Sequence, residues 1–260
     1  MVKNDTILKN VLFLGSGEQQ SIIVEQLKIK GCNVFQIDTK VLEIENQIDL
    51  VISFGYRYIL DQSLLQTSKI PKINLHISYL PWNRGAHPNF WSFWDNTPSG
   101  VSIHVIDSGI DTGPVLYQKQ VIIDPKKETF SSSYQKLNSE IVSLFLENLD
   151  SILRCKFVEV PQRGRGSFHY QRALPKDFSG WESNIESEIA RLYRSGFNPN
   201  IEKLKLIDDI EKIRTRNNIN WMNLLRIVAV EAPDSLTAIT TEINATDSEI
   251  SKLLAKLAQK

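Results

Sequence analysis

The sequence predicts an α/β chain, a mainly parallel sheet flanked by helices, followed by a smaller and mostly helical C-terminal region. Three observations carry this. Residues 10–37 read as strand, glycine turn, helix and strand. A short, mainly apolar run at 50–54 and the stretch at 73–76 then repeat the strand pattern, and both end in polar or glycine-rich loops. Beyond residue 200 the strand patterns cease and apolar residues fall at helical spacing.

Taken in order, residues 10–14 (NVLFL) form an apolar strand that stops at Gly15-Ser16-Gly17. Ile22, Ile23, Gln26 and Leu27 fall at helical steps, and Gly31 closes that helix. Val34-Phe35-Gln36-Ile37 gives the second strand, and residues 50–54 (LVISF) the third, ending at Gly55. Ile73-Asn74-Leu75-His76 follows, then a loop rich in proline and glycine over 78–88 and an aromatic helix over 87–94. Residues 101–106 alternate as a strand, and 115–123 read as its antiparallel neighbour. Between them lies a run of turn formers from Asp107 to Pro114. Residues 129–153 read as one long amphipathic helix, with Tyr134, Leu137, Ile141, Leu144, Phe145 and Leu149 on one face. The fold class is thus Rossmann-like.

Past this block, 158–172 reads as a hairpin and 181–193 as a helix closed by Gly196. Thr246-Asp247-Ser248-Glu249 has the form of a capping box before Ile250, Leu253, Leu254 and Leu257. Trp221, Leu224, Leu225 and Val228 fit a buried helix face. The expected organisation is a catalytic domain over 1–155, a hairpin and helix extension over 156–200, and a helical module over 201–260.

With 260 residues, 42% of them hydrophobic, the chain can bury a sizeable core. Thirty basic residues balance thirty acidic ones, so the basic excess of a phosphate-reading protein is missing and no nucleic-acid partner is expected. The densest basic stretch, Gln162-Arg163-Gly164-Arg165-Gly166, is short. Cys32 and Cys155 lack metal or disulfide spacing and read as small buried apolar residues. The histidines show no paired spacing either, so no metal is expected. The N-terminus lacks a signal-peptide core, and no apolar run approaches the ~20 residues needed to span a bilayer. A soluble cytoplasmic protein without membrane contact is the expectation.

Asn74 and His76 are two residues apart on a strand, so they project to the same side at its C-terminal end. There a carboxamide can donate to a developing oxyanion and an imidazole can act near neutral pH. A hydrogen-bonded core pair would use the same spacing. Asp111, in a glycine-rich loop between strands, can orient an imidazole or collect a proton, or it can form an Asx-turn, as Asp107 is expected to do. Gly15 and Gly17 form a turn that can bring backbone N–H groups to a phosphate, but the third glycine of a dinucleotide fingerprint is replaced by Gln20. Asp38 ends the second strand, where a ribose-binding acid would stand. His104 reads as a packed strand residue, His87 as part of a pocket wall, and Trp82, Trp91 and Trp94 as core or pocket wall. His169 has no role assigned by the pattern.

Asn74-Leu75-His76, the loop Ser78-Tyr79-Leu80-Pro81-Trp82-Asn83-Arg84-Gly85-Ala86, the strand Gly100-Val101-Ser102, and Asp111-Thr112-Gly113 together resemble the folate-dependent formyltransferase family. The resemblance covers residues 10–155. It implies that Asn74, His76 and Asp111 are catalytic and that N10-formyltetrahydrofolate is the formyl donor, with no metal. It implies a folate cleft beside Phe54, Tyr56, Tyr58, Ile59 and Leu60 and the loop of Ile110, Asp111 and Gly113. The acceptor would then lie near Gly15, Gly17, Ser78, Trp82, Asn83, Arg84, Gly85 and His87.

Among acceptors in that family, the loop over 82–91 and the stretch Gly166-Ser167-Phe168-His169-Tyr170 look like the sugar-nucleotide subgroup. The resemblance implies formylation of a nucleotide-linked amino sugar, best a dTDP-linked 4- or 3-amino-4,6-dideoxyhexose for a bacterial surface glycan, by a homodimer. The alternatives are formylation of methionyl-tRNA and hydrolysis of formyl-folate. A tRNA enzyme would be expected to be longer, with a C-terminal β-barrel and a basic surface.

Overall fold

A computed structural model of the protein describes residues 9–66, 70–196, 247–249, 251–252 and 255. The chain divides into two compact units, Met1–Ser195 and Gly196–Lys260.

The first unit opens with β1 (Asn10–Leu14), α1 (Glu18–Ile29) and β2 (Asn33–Ile37), followed by β3 (Leu50–Phe54), α2 (Gln62–Gln66) and β4 (Lys72–His76). The short β5 (Arg84–Gly85) and α3 (Pro88–Trp94) lead to β6 (Gly100–Val105) and β7 (Val115–Gln120). Next come α4 (Phe130–Glu147), α5 (Leu149–Leu153), the short β8 (Phe168–His169), a turn of 3-10 helix at Gln171–Ala173 and α6 (Ile185–Arg194). The six-stranded sheet runs β2-β1-β3-β4-β6-β7. β2, β1, β3 and β4 are parallel, while β6 and β7 turn back antiparallel.

Side-chain alternation sorts β1 between the two faces of the sheet. Val11 and Phe13 pack with Ile23, Leu27, Ile141 and Phe145 on the α1 and α4 side. Leu12 and Leu14 pack with Val41, Val51, Leu60 and Leu64 on the other. Burial on both faces is why β1 and β3 read as continuous apolar runs, whereas the edge strand β2 leaves Asn33, Phe35 and Gln36 exposed.

Several expectations change. The helix expected over 129–153 is broken at Asn148, whose amide donates to the Leu144 carbonyl (2.8 Å) and whose backbone (φ −108, ψ 6) leaves the helical region. Its start is capped as a box by Thr129 and Ser132. The hairpin expected over 158–172 does not form. Val160 bridges antiparallel to Val115, and β8 adds in parallel to β5, pairing Arg84 with Phe168 and Gly85 with His169. The two halves of that segment therefore satisfy their backbone groups on other parts of the unit and not on each other. Gly166 fits closely there: a Cβ would stand 2.2 Å from the Pro81 carbonyl oxygen. The extension is thus built into the first unit. α6 begins at Ile185 and not at 181, because Asn184 caps it by accepting from Ser187 N–H, while Trp181 packs on Phe178. Cys155 is exposed, at a left-handed residue just beyond α5 (φ 51), where Lys9 Nζ donates to its Sγ at 3.4 Å; Cys32 is buried as expected.

In the second unit, residues 247–249, 251–252 and 255 are helical, in line with the capping pattern before Ile250. The helices read over 201–246, with Trp221, Leu224, Leu225 and Val228, lie outside the described residues. Among the described residues no helix is long and apolar enough to cross a membrane.

Candidate active site

β4 places the two central side chains. Its register sets Asn74 beside Ser53 of β3 on one side and opposite His104 of β6 on the other. His76, two residues on, shares the face of Asn74. The β6–β7 loop returns Asp111 to that face at φ 54, a backbone conformation that costs a non-glycine residue free energy. Asn74 Nδ2 donates to Asp111 Oδ1 (3.2 Å), and the other carboxylate oxygen lies 3.6 Å from His76 Nε2 and accepts from Gly85 N–H (2.8 Å). β4 and the β6–β7 loop thus bring the expected trio together.

A fourth group joins it. His104 Nε2 is 3.2 Å from Asn74 Nδ2 and 3.4 Å from Asp111 Oδ1. His104 Nδ1 faces its neighbour's carbonyl, Val105 O, at 2.8 Å, which puts the ring proton on Nδ1 and leaves Nε2 to accept from Asn74. Both amide hydrogens of Asn74 are then directed at His104 and Asp111. His104 is thus a member of the site and not a packed strand residue only. Its signal was the antiparallel pairing of the two strands, which brings it opposite Asn74.

Burial lowers the pKa of the His76 imidazole below its ordinary value, against the raising effect of Asp111. His104 lowers it further, and a hydrogen bond to the Asn83 carbonyl (3.2 Å) raises it. The neutral ring that results carries its proton on Nε2, toward Asn83 O. Among the described residues none hydrogen-bonds to Nδ1. For Asp111, burial works against the charge, but His76, His104 and the Gly85 N–H outweigh it and hold the carboxyl well below the usual carboxylate range. A charged carboxylate beside a neutral imidazole is an arrangement that can accept a proton and stabilise the charge that results.

The group lies at the base of a cleft of about 450 Å³. Its lining includes Phe54, Tyr56, Tyr58, Ile59, Leu60, Ile110 and Asp111, the residues expected beside folate apart from Gly113. The lining also includes Tyr134 and Asn138 of α4 together with Phe168, His169 and Tyr170, which the sequence reading did not place at the site. Phe168 and Tyr170 meet edge to face at 4.7 Å, and Arg172 lies over Tyr170 at 5.2 Å. His169 stacks on Trp91 (4.0 Å between rings) and binds Asp95 (2.7 Å).

Of the residues expected to hold the acceptor, Gly85 lines the cleft. The others do not. A Cβ on Gly15 would stand 2.1 Å from Phe54 O, so that glycine serves a close backbone approach, and Gln20 from α1 reaches the cleft in place of the turn. Gly17 starts α1 without lining the cleft. Ser78 is buried, and Trp82 is half-buried outside the cleft. Asn83 is 0% exposed, with its amide on Thr97 (2.8 Å) and its carbonyl oxygen accepting from Ser167 (3.1 Å). Arg84 gives its guanidinium to Gln162. His87 sits against Trp181, 5.4 Å between rings. Gly113 lies behind the cleft, where a Cβ would come within 1.9 Å of Val105 O. Asp107 makes the expected Asx-turn, accepting from Gly109 N–H and Thr112 Oγ1. Asp38 accepts from Ser16. Among the described residues no cluster of metal-ligating groups occurs. A larger cavity, about 520 Å³ between α6 and the end of β7, contains none of these groups.

The formyl transferase family model matches residues 11–149. The chain is similar to the formyltransferase PseJ from Anoxybacillus kamchatkensis, solved with UDP-4,6-dideoxy-4-formamido-L-AltNAc and tetrahydrofolate: 35% identity, TM-score 0.65, covering 70% of this chain and 98% of that one. It is 30% identical over 159 residues to the dTDP-4-amino-4,6-dideoxyglucose formyltransferase of Mycobacterium tuberculosis (strain ATCC 25618 / H37Rv), covering 61% of this chain and 64% of that protein. It is 32% identical over 141 residues to the methionyl-tRNA formyltransferase of Thermodesulfovibrio yellowstonii, covering 53% of this chain and 44% of that protein. The chain thus spans less than two thirds of the length of these curated relatives. With the family's span running from β1 into α5 and the Asn74, His76 and Asp111 cluster inside it, this chain belongs to the formyl transferase family.

Proposed function

We propose that the chain transfers a formyl group from N10-formyltetrahydrofolate to the amine of a nucleotide-linked amino sugar. The observation that carries this is the cleft lined by Asn74, His76 and Asp111 together with two aromatic sets, Phe54, Tyr56 and Tyr58 on the one hand and Tyr134, Phe168 and Tyr170 on the other. The wall of Phe54, Tyr58, Ile59 and Leu60 suits a flat fused-ring donor, which supplies an activated formyl carbon when bound.

The residues then divide the work. As the amine bonds to the formyl carbon, His76 takes the amine proton at Nδ1; as the carbon–N10 bond of the donor breaks, that proton goes to N10, and between the two steps Asp111 stabilises the imidazolium at 3.6 Å. Asn74 exchanges the hydrogen it gives His104 for one given to the oxygen that gains charge, keeping its bond to Asp111. The aromatic wall of Tyr134, Phe168 and Tyr170 excludes water and orients the acceptor.

For the acceptor, the 35% identical relative was solved with a 4-formamido-4,6-dideoxy sugar on UDP, and a 30% identical relative is named for a 4-amino-4,6-dideoxy sugar on dTDP. Their common part, a pyrimidine nucleoside diphosphate bearing a 4-amino-4,6-dideoxyhexose, is the substrate class proposed. The zero net charge of the chain favours it over methionyl-tRNA. The test is incubation with the formyl donor and a panel of UDP- and dTDP-linked 3- and 4-amino sugars beside charged initiator tRNA, following tetrahydrofolate release and the mass of each acceptor. Formylation of a 4-amino sugar supports the reading. Formylation of the tRNA alone, or folate release without any acceptor gaining mass, overturns it.

A further inference from the structure

We propose that Gln162 and Arg84 are positioning residues that hold Asp111 in place for His76 and Asn74, and do not themselves contact substrate. The inference rests on the catalytic reading of that cluster and names what fixes it.

Asp111 stands at φ 54 in a loop of turn formers, so its own backbone preference does not keep it there. Gln162, half-buried in the segment between β7's partner Val160 and β8, spends its whole side chain on this loop and on β5. Its Nε2 donates to Asp111 O (2.8 Å) and to Gly113 O (2.8 Å). Its Oε1 accepts from Arg84 Nε (3.0 Å) and Nη2 (2.7 Å). A carboxamide has two amide hydrogens and two carbonyl lone pairs, and all are used here. The orientation of the amide is therefore fixed from both ends, and the guanidinium polarises it toward stronger donation.

The bonds close a ring. Arg84 reaches the main chain of Asp111 through Gln162, while the next residue, Gly85, gives its N–H to the side chain of Asp111 (2.8 Å). Adjacent residues of β5 thus grip one residue at its backbone and at its carboxylate. The loop lies close against β6 at Gly113, where an added Cβ would stand 1.9 Å from Val105 O. A charged side chain that the resemblance implied as an acceptor contact is in this way turned to the loop that carries the carboxylate.

Gln162→Leu keeps the volume of the side chain and removes both donors. Gln162→Glu keeps the pairing with Arg84 and replaces the donors by lone pairs facing two carbonyl oxygens. Each is expected to lower kcat about tenfold or more with KM for folate and acceptor within about twofold, as a small displacement of a catalytic group does. In an Asp111→Asn background the further loss on adding Gln162→Leu shrinks toward onefold, since both changes act on one element. Arg84→Lys, which keeps the charge and loses the fork, falls between. An unchanged kcat, a loss confined to the acceptor KM, or full additivity with Asp111→Asn overturns the proposal. A readout free of turnover separates it from the functional reading. In Gln162→Leu the Gly85 amide, which Asp111 protects, is expected to exchange with solvent several-fold faster by NMR, while amides of β1 and β3 keep their rates. If wild-type protein formylates nothing, that exchange result still decides: equal Gly85 rates overturn the brace and faster ones support it.

Discussion

Asn74 and His104 stand directly opposite each other across the antiparallel pairing of β4 and β6, and the amide nitrogen of one lies 3.2 Å from Nε2 of the other. That contact orients the Asn74 carboxamide, because it leaves the amide no choice about which end faces Asp111. Replacing His104 by Phe keeps the ring and removes the acceptor. The expected outcome is a fall in kcat of about tenfold with little change in either KM, measured by steady-state kinetics.

Removal of the central groups is more severe. Asn74→Ala is expected to lower kcat by about 10²–10³-fold, as loss of an oxyanion donor does. His76→Ala is expected to lower it by about 10²–10⁴-fold, as loss of a general base does. Folate binding, followed by fluorescence or calorimetry, stays near wild type in both. Loss of folate binding in step with turnover would assign these residues to the ligand and not to the chemistry.

The pH profile tests the pairing of Asp111 with His76. In the proposed role of base His76 acts when neutral, so kcat is expected to rise with pH through its folded-state pKa, which burial holds below the ordinary histidine value. Asp111 raises that pKa, so Asp111→Asn lowers it further. The acid limb of the kcat profile is expected to move to lower pH while the plateau drops by at least about 10²-fold. A limb that stays or moves up would remove Asp111 from contact with the titrating group.

Asn83 separates structure from binding. Its fully buried amide is paired with Thr97 and Ser167, and its carbonyl faces His76. Asn83→Ala strands those partners, and the expected cost is about 1–3 kcal/mol of stability in denaturant unfolding. The acceptor KM of the protein that remains folded is expected to hold.

Glu188 gives a stability prediction away from the cleft. Its carboxyl is lowered to about 2 by the hydrogen bonds from Arg191, with Ser179 N–H adding to them and burial opposing. A folded-state value below the ordinary 4.5 means that its contribution is full above that pH and is lost as pH falls toward about 2. Glu188→Gln is expected to cost about 1 kcal/mol at neutral pH, a modest value because Arg191 is 39% exposed and solvent screens it. The variant also loses stability less steeply than wild type between pH 4.5 and 2, as thermal melts across that range would read.

The sheet was legible because its strands obey a local rule: Val11 to Leu14 are apolar throughout, Leu50 to Phe54 are apolar but for Ser53, and glycine stops each run. Asn74 and His76 were legible for the same reason, since two-residue spacing on a strand is a statement about direction. Asp111 needed the resemblance, because a carboxylate in a turn-rich loop has a local use of its own, as Asp107 shows by capping its turn. What stayed hidden depends on partners distant in sequence. Arg84 and Asn83 carry the residue types of a substrate site, and only tertiary pairing with Gln162 and Ser167 turns them inward. The hairpin over 158–172 failed likewise, because an alternating segment does not state which strand it will join. The break at Asn148 had a local signal, an asparagine amid good helix formers, that the apolar periodicity overrode.

The two short strands β5 and β8 join residues 84–85 to residues 168–169. During synthesis the sheet residues through β7 leave the ribosome well before β8 does. The nascent chain can therefore carry Asn74, His76 and Asp111 while lacking Gln162, Phe168 and Tyr170, with the loop that bears Asp111 braced on one side only. A chain that stalls before β8 therefore holds Asn74, His76 and Asp111 without Phe168 and Tyr170, which line the cleft beside them.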